Sequence, residues 1–438
     1  MKNRLLELRE QLQVSIWFIP LVLCLTNLVL AVVLLFLERD SGLLQGGLQP
    51  FAMPVSSARQ VLGVIAGSVL GVGGVVFSVS MVALTLTSGQ YGPKVLRQFL
   101  SDNSSKISLG MFLGTSIFCL VTMSAYRESD QPSLTVIAAI LLTILALAGF
   151  IHFIHSIATD IQADQIIQRI GGELRDLLAQ LVGGESLKGR NNDLLAWRRA
   201  ARGDRPAAIG SATNGYVQTI DYARLVQWSA RQDCLVKMQV RAGDFVLARS
   251  CLMKIYGGDG NVVAGQLETL ASCVLTGPLR TPVQDPEYPI TQLNQLAARA
   301  LSPGINDPGT AITCVDWFSM ALEQIVDRDL PGKVFVDEQQ RPRVLARLTD
   351  FQGILKSFYA PAGQFSRDNI PVLVALLESL IRLAELTARP DRLAELARQG
   401  QVLREQAGRG EHLERDLRDF RQRYHKLVRL TGRVANTA

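Results

Sequence analysis

A stripe of small and hydroxyl side chains follows one long apolar segment of the sequence. If the segment is helical, at about 100° per residue, the stripe covers one arc of roughly 100°. Its members are Gly63, Gly67, Gly71, Gly74, Ser78, Thr85 and Ser88. Such residues let helices approach closely in lipid, and around an oligomer axis they could also line a path for water or ions. Because no charged residue lies between Gln60 and Gly92, a filter there would select by hydroxyl groups, size or dewetting.

Two histidines, His152 and His155, lie three residues apart near the end of the last apolar segment. Imidazole titrates near physiological pH, so the pair could sense pH or move protons, or could form hydrogen bonds at the membrane interface. A metal site would need further ligands, but Asp160 and Asp164 fall on another part of the helix. The six cysteines are scattered without a CxxC pair. The sequence therefore predicts neither a metal site nor a cofactor.

The segment "LSPGINDPGT" (301–310) interrupts an otherwise helical pattern. The residue before Pro303 is pushed out of the helical region and Gly304 can adopt a positive φ, so one helix should end there. The next helix should begin at once, with an aspartate cap followed by Pro308 as its first residue. Four polar residues would lie beside this start: Ser302, Asn306, Asp307 and Thr310. They could build a corner, or they could bind a ligand headgroup, an ion or a neighbouring subunit.

Signatures of enzymes and of nucleic-acid-binding proteins are absent from the sequence. It contains no GxSxG, no P-loop, no HExxH, and no GxGxxG placed between a strand and a helix. The "GVGG" at 71–74 lies inside an apolar segment, which argues against a phosphate loop. The net charge of +6 is spread thinly, without a basic stripe and interleaved aromatics. We therefore expect no catalytic residues and no nucleic-acid partner.

The elements that hold these residues begin with four apolar segments, at 15–37, 60–88, 107–126 and 134–157. Each is long enough for a helix that crosses a hydrocarbon core, which needs about 20 residues. The first is too long for a signal peptide and lacks a small-residue cleavage site, so it reads as an anchor. Of all residues, 48% are hydrophobic and 19% charged, and most of the hydrophobic excess precedes residue 158. We expect an α-helical integral membrane domain of four transmembrane helices at 1–158.

The short loops favour one orientation in the membrane. Basic residues cluster before the first apolar segment and between the second and third: Lys2, Arg4, Arg9, Lys94, Arg97 and Lys106. Since basic loops tend to stay in the cytoplasm, both termini should be cytoplasmic. The sequence thus predicts a multi-pass membrane protein, with membrane lipid as its immediate partner.

The remainder of the chain should form a cytoplasmic α+β domain in three parts. Residues 159–206 combine an amphipathic connecting helix with a linker rich in Gly, Asn and Arg. Residues 207–287 contain short β-type runs separated by Gly and Asp turn signals, which predict a small β domain. Residues 288–438 return to helical periodicity and should form a helical region.

The small β domain resembles half of a biotinyl or lipoyl-type barrel, so a barrel-sandwich-like unit is expected. The similarity rests on the turn of Gly243, Asp244 and Val246. The carrier lysine of such domains is missing, because Gly258 and Asp259 occupy the hairpin region. The resemblance therefore implies a fold and no swinging-arm carrier.

Four stretches occur in a recognisable order: "FSVSMVALTLTSGQYGPKVLRQFL", "IHFIHSIATDIQ", "GYVQTID" and "QLNQLAARALSPGINDPGTA". Together they resemble a family of bacterial membrane proteins designated domain of unknown function 2254. Before the last motif, where the family has Arg, acidic and aromatic residues, this chain has "RTPVQDPEYPI", in which Arg280, Asp285 and Tyr288 could fill those places. The resemblance implies a four-span plan with a large cytoplasmic domain, and it implies no activity.

These features favour an oligomeric inner-membrane protein that conducts ions or a small solute and is regulated by its cytoplasmic domain. The hypothesis depends on the small-residue stripe and on the missing enzyme motifs. The alternative is a non-conducting, membrane-anchored scaffold or sensor whose cytoplasmic domain binds a ligand or a protein. In either case we expect a homo-oligomer.

Overall fold

The computed structural model describes Ser15 and residues 17–40, 53–91, 103–128, 132–160, 162–183, 194–201, 206–257 and 266–432. The chain divides into two units, residues 1–166 and residues 167–438. Five of the basic residues on which the predicted orientation depends lie outside the described ranges: Lys2, Arg4, Arg9, Lys94 and Arg97.

The first unit contains four long helices: α1 (Phe18–Asp40), α2 (Val55–Tyr91), α3 (Ser104–Ala125) and α4 (Leu134–Asp160). Each includes a span long and apolar enough to cross a membrane, with a mean hydropathy between 1.8 and 2.7. The prediction of four apolar membrane helices is therefore confirmed. Helix α2 is longer at both ends than the predicted segment, because Val55 to Arg59 and the residues after Ser88 continue the helical backbone.

Helix α3 lies at the centre of the first unit. Half of the residues in its span are buried, compared with 22% to 28% in the other three spans. It packs against α1, α2 and α4, and its Phe112 and Phe118 belong to two buried apolar clusters. Lipid tails are as apolar as these side chains, so close packing rather than exclusion of water holds membrane helices together.

The carboxylate of Glu38, near the end of α1, caps the start of α4. Its Oε1 accepts hydrogen bonds from the backbone N–H groups of Ser133 and Leu134, at 2.6 and 2.9 Å. Its Oε2 accepts one from the hydroxyl of Thr135 at 2.7 Å. A negative charge at this position satisfies free N–H groups and complements the positive end of the helix dipole. Glu38 therefore ties the start of α4 to the end of α1.

Helix α5 (Ala163–Gly183) follows α4 after residues 161 and 162 and continues into the second unit, where α6 (Leu194–Ala200) comes next. The apolar positions of α5 are buried at helical spacing, as the sequence predicts: Ile167, Ile170, Leu174 and Leu178. Gly171 lies against Trp317, because a Cβ at this glycine would meet three atoms of that side chain between 2.8 and 3.2 Å.

Eight strands and two short helices form the β part of the second unit. The strands are β1 (Ala207–Gly210), β2 (Gly215–Ile220), β3 (Leu235–Met238), β4 (Phe245–Val246), β5 (Cys251–Tyr256), β6 (Val274–Gly277), β7 (Val334–Val336) and β8 (Pro342–Leu345). The helices are α7 (Tyr222–Arg231), between β2 and β3, and α8 (Leu267–Ala271), before β6.

The strands form a five-stranded sheet in the order β1-β5-β3-β8-β7 and a three-stranded sheet in the order β4-β2-β6. One buried apolar core includes side chains of both sheets. Strands β7 and β8 come from a stretch for which the sequence predicts helices, so the sheet extends beyond the predicted β domain of 207–287. The pairing of β3 with β8 is parallel, and a parallel partner must return through a long crossover. The hairpin residues Gly258 and Asp259 lie outside the described residues.

The other helices of the second unit are α9 (Glu287–Ala300), α10 (Pro308–Val326), α11 (Phe351–Phe365), α12 (Ile370–Glu385), α13 (Pro390–Ala407) and α14 (Glu414–Gly432). Asp350 and Asn369 cap α11 and α12 by accepting a hydrogen bond from a backbone N–H group of the first turn. Inside this helical part, the rings of Phe318 and Phe358 stack with their centroids 3.9 Å apart.

Candidate functional site

The small-residue stripe of α2 faces away from the other described helices of its unit. Gly67, Gly71, Gly74, Ser78 and Thr85 are all exposed. A Cβ built on any of these three glycines would meet no described atom within 4 Å. The Thr85 hydroxyl donates a hydrogen bond to the carbonyl of Met81 in its own helix, at 2.8 Å. The stripe is therefore unused for packing inside the described part of the protomer.

The two ends of the stripe differ from its middle. Gly63 is half-buried, and a Cβ there would lie 3.8 Å from the sulfur of Met123 on α3. The side chain of Ser88 lies outside the described residues. A different face of α2 packs on α3, where a Cβ on the buried Gly73 would come within 3.3 Å of Phe112 Cβ.

Helices α1 and α3 pack closely at Gly110 and Gly114 of α3, a contact that the sequence analysis does not predict. A Cβ on Gly110 would lie 2.6 Å from Leu23 Cδ1 and 2.9 Å from Pro20 Cα, both on α1. A Cβ on Gly114 would lie 2.6 Å from Asn27 Nδ2. The sequence does contain a signal for this contact, because "GMFLG" is a GxxxG pattern in an apolar helix.

His152 and His155 are both exposed on α4, on either side of the buried Phe153. Within the described ranges, no group of three or more His, Cys, Asp or Glu side chains could hold a metal ion. The pH-sensing role of the two histidines stays a prediction.

The 301–310 segment forms the predicted corner between α9 and α10. Asp307 caps α10: its Oδ1 accepts from the backbone N–H of Thr310 at 3.1 Å and its Oδ2 accepts from the Thr310 hydroxyl at 2.5 Å. These two bonds hold the pKa of Asp307 below its usual value. The Ser302 hydroxyl donates to the carbonyl of Arg299 at 2.7 Å. Three of the four polar side chains are therefore engaged within the corner itself.

The residue with left-handed backbone in this corner is Asn306, at φ 48°, whereas Gly304 was expected to take a positive φ. Asparagine tolerates this region better than other residues with a Cβ, because its short side chain can bond locally. The chain reverses here through a backbone bond from the N–H of Asp307 to the carbonyl of Ala300, at 2.8 Å. The left-handed conformation that this turn requires therefore explains the asparagine at Asn306.

Replacing Asn306 with alanine is expected to lower the free energy of unfolding by about 1 kcal/mol, because a Cβ residue other than Asn is strained in the left-handed region. Glycine at this position should leave the free energy of unfolding nearly unchanged. Urea unfolding of the purified protein, followed by tryptophan fluorescence, measures both variants. Equal stability of the two would contradict the backbone explanation, and a functional loss shared by both at wild-type stability would indicate a bound partner.

A cavity of about 260 Å³ lies within the second unit. Six of the residues that line it are Leu181, Tyr222, Arg241, Asp285, Phe335 and Arg347. They come from the end of α5, the start of α7, strand β7 and the loops that flank β4, α9 and β8. No local spacing in the sequence connects these positions, and only Asp285 was singled out beforehand, as part of the "RTPVQDPEYPI" stretch.

Asp285 forms a buried ion pair at this cavity. Its side chain is 3% exposed, and its Oδ2 accepts from Nη2 and Nε of Arg280 at 2.6 and 2.9 Å. Burial raises the pKa of Asp285, and the Arg280 charge partly offsets that rise. The Arg280 guanidinium also lies 5.7 Å from the ring centre of Tyr288. The three residues matched to the family's Arg, acidic and aromatic places are therefore brought together.

Gly243 lets this ion pair approach the turn before β4. It has φ +90°, and a Cβ there would overlap Asp285 Oδ2 and lie 2.9 Å from Arg280 Nη2. Next to it, the guanidinium of Arg241 donates two hydrogen bonds of 2.7 Å to the carboxylate of Glu287. The sequence analysis relates this Gly-Asp turn to a lipoyl-type barrel. In the structure, the absence of a Cβ at Gly243 leaves room for the Asp285 carboxylate.

Comparisons with other proteins agree with this architecture. Two relatives are Uncharacterized protein MT1328 of Mycobacterium tuberculosis (strain CDC 1551 / Oshkosh) and Uncharacterized protein Mb1321c of Mycobacterium bovis (strain ATCC BAA-935 / AF2122/97). Each is 26% identical over 404 residues, which cover 90% of this chain and 76% of the relative. No solved structure shows significant similarity. Residues 13–382 match the family described as predicted membrane protein (DUF2254), and the chain belongs to that family.

Proposed function

We propose that this protein is a homo-oligomer of the bacterial inner membrane that conducts ions or a small solute. The observation that carries the proposal is the exposure of Gly67, Gly71 and Gly74 on α2, with open space where a Cβ would stand. Small residues are enriched where membrane helices contact each other, because they allow the backbones to approach. A second copy of the chain supplies such a contact.

The stripe has two halves with different chemistry. Its exposed glycines, Gly67, Gly71 and Gly74, suit close contact between neighbouring copies of α2. Ser78 and Thr85 are exposed hydroxyl residues farther along the same face, and a closed ring of protomers would turn them toward its axis. Hydroxyl groups and exposed backbone can replace part of the hydration of a passing ion. We propose that the glycine half assembles the oligomer and the hydroxyl half lines the path.

The second unit is proposed to lie in the cytoplasm, with both termini, and to regulate conduction. The basis for the orientation is the excess of Lys and Arg in the N-terminal segment and the second loop. The basis for regulation is chain continuity, since only residues 161 and 162 separate α4 from α5. A displacement of α5 would therefore act directly on the end of a span. The proposed protein is not an enzyme and needs no metal, cofactor or nucleic acid.

Reconstitution of the purified protein in liposomes tests conduction. The replacement Gly71→Leu should lower ion flux by about tenfold or more, because a bulky side chain in a close helix contact costs about 1–3 kcal/mol. The matched control is Val75→Leu, which adds bulk at an exposed position of α2 outside the stripe. Absence of K⁺, Na⁺, Cl⁻ and H⁺ flux from the wild-type protein under every gradient would refute the channel.

A second candidate is a non-conducting, membrane-anchored scaffold or sensor. It is favoured by the cavity of about 260 Å³ in the second unit, because a concave site with a few polar groups is typical of small-molecule binding. This alternative predicts specific binding to the second unit without flux in the liposome experiment. The two measurements together separate the candidates.

A further inference from the structure

A tyrosine side chain lines the cavity, and its hydroxyl has no partner among the described residues. Tyr222, the first residue of α7, is only 7% exposed, and its ring lies 4.8 Å from that of Phe335. None of the described residues forms a hydrogen bond with its hydroxyl. Burial raises the pKa of Tyr222 far above neutrality, so the hydroxyl keeps its proton. A ligand atom in the cavity would supply an acceptor for this hydroxyl.

Arg347 offers further donors at the same cavity. Its Nη1 donates to the carbonyl of Gln239 at 3.0 Å and to Asp244 Oδ2 at 3.1 Å. Its Nε and Nη2 bond to no other described residue, and the side chain is 57% exposed. A guanidinium has five N–H donors in a planar fork that fits a carboxylate. Arg347 can therefore bind an anionic group without giving up its existing contacts.

The carboxylates around the cavity are already paired. Asp285 accepts from Arg280 and from the backbone N–H of Glu287, and Glu287 accepts from both Nη atoms of Arg241. Donors at the cavity that bond to no other described residue include the Tyr222 hydroxyl and two nitrogens of Arg347. A ligand with an acceptor group, rather than an amine, complements this pattern.

Several of the other lining residues are apolar. Leu181, Phe335 and Leu348 line the cavity, together with Leu330 and Pro331. Its volume lies just below the range of about 300–1,000 Å³ that is usual for small-molecule sites, so a compact ligand fits best. A flat or branched hydrocarbon body would bury its surface against these side chains.

We propose that this cavity binds a small carboxylic acid with an aromatic or branched apolar body. The carboxylate accepts hydrogen bonds from the Tyr222 hydroxyl and the Arg347 guanidinium, and the apolar body packs against Phe335 and Leu181. Because Leu181 belongs to the last turn of α5, an occupied cavity stabilises the helix that follows the fourth span in the chain. The binding site does not depend on the proposed conduction, and its failure would leave the flux experiment unaffected.

Fluorine NMR of 4-fluorophenylacetate with the full-length protein in lipid nanodiscs tests the site. The wild-type protein should broaden the fluorine signal saturably, beyond the broadening caused by empty nanodiscs. Tyr222→Phe and Arg347→Gln should each weaken binding by about tenfold, the effect of losing one hydrogen bond to a charged group. Arg231→Gln, at an exposed arginine of α7, should bind like the wild type, and 4-fluorobenzylamine should bind more weakly than the acid.

Thermal unfolding distinguishes a ligand donor from a structural hydroxyl. Because the Tyr222 hydroxyl bonds to no described residue, Tyr222→Phe should unfold at the wild-type temperature or slightly above it. Phenylacetate should raise the unfolding temperature of the wild type more than that of the variant. A destabilised Tyr222→Phe, equal binding by all variants, or no binding beyond that of empty nanodiscs would each overturn the proposal.

Discussion

Replacing Gly110 with valine is expected to destabilise the first unit by about 3 kcal/mol, because overpacking a close contact costs about 1–3 kcal/mol and this one involves backbone. Even a Cβ at this position would lie 2.9 Å from the Cα of Pro20, an atom that cannot move without displacing α1. Since α3 lies at the centre of the four helices, loss of the α1 contact should loosen the whole unit. Cys119 on α3 is fully buried, so loosening of the unit would make its thiol accessible to a labelling reagent.

The measurement is the rate at which N-ethylmaleimide labels Cys119, quantified by peptide mass spectrometry during a titration with SDS. The Gly110→Val protein should expose the thiol at a lower SDS fraction than the wild type. The matched control is Ile107→Val, which places a valine on the same helix at an exposed position. If Gly110→Val protects Cys119 as well as the control does, the close packing of α1 on α3 is wrong.

Replacing Gly243 with alanine is expected to lower the free energy of unfolding of the second unit by about 3 kcal/mol. A Cβ residue in the left-handed region costs about 1–2 kcal/mol, and the overlap with Asp285 adds about 1–3 kcal/mol. The Arg280–Asp285 pair would have to move, and Asp285, at 3% exposure, would lose partners that compensate its burial. Since Asp285 lines the cavity, 4-fluorophenylacetate should also bind more weakly.

Guanidinium unfolding followed by tryptophan fluorescence measures this loss, because Trp228 lies in the core shared by the two sheets. The matched control is Gly172→Ala on α5, where a Cβ would meet no described atom within 4 Å. In a helix that exchange should stabilise the protein by about 0.5–1 kcal/mol. Wild-type stability of Gly243→Ala would show that the ion pair does not approach the turn as closely as the structure indicates.

The membrane helices were predictable because their signal is local. A run of about 20 apolar residues satisfies its backbone internally only as a helix in lipid, whatever the rest of the chain does. The cap at Asp307 and Pro308 was predictable for the same reason, since Asp and Pro act on the first turn of their own helix. The left-handed residue of that corner was assigned to Gly304 instead of Asn306, because both types tolerate the region and only the closed turn selects one.

Contacts between distant segments were not predictable from one sequence. Strand β8 pairs with β3 across about a hundred residues of chain, and its short apolar run is not distinguishable by itself from part of a helix. The contacts of the glycines on α2 and α3 were equally unpredictable from the sequence. Both helices carry small residues at helical spacing, yet Gly110 and Gly114 are covered by α1 whereas Gly67, Gly71 and Gly74 face away from the described helices.

The sequence by itself determined the four apolar helices, the amphipathic α5, the presence of strands after residue 206 and the cap at Asp307. Each of these follows from residues within one or two turns of each other, where propensity and hydrophobic period dominate. Only the tertiary structure decided which small-residue face is packed and which is open, and only it brought Tyr222, Asp285 and Arg347 to one cavity. Both outcomes depend on which distant segments pack against each other. No single segment of the sequence carries that information.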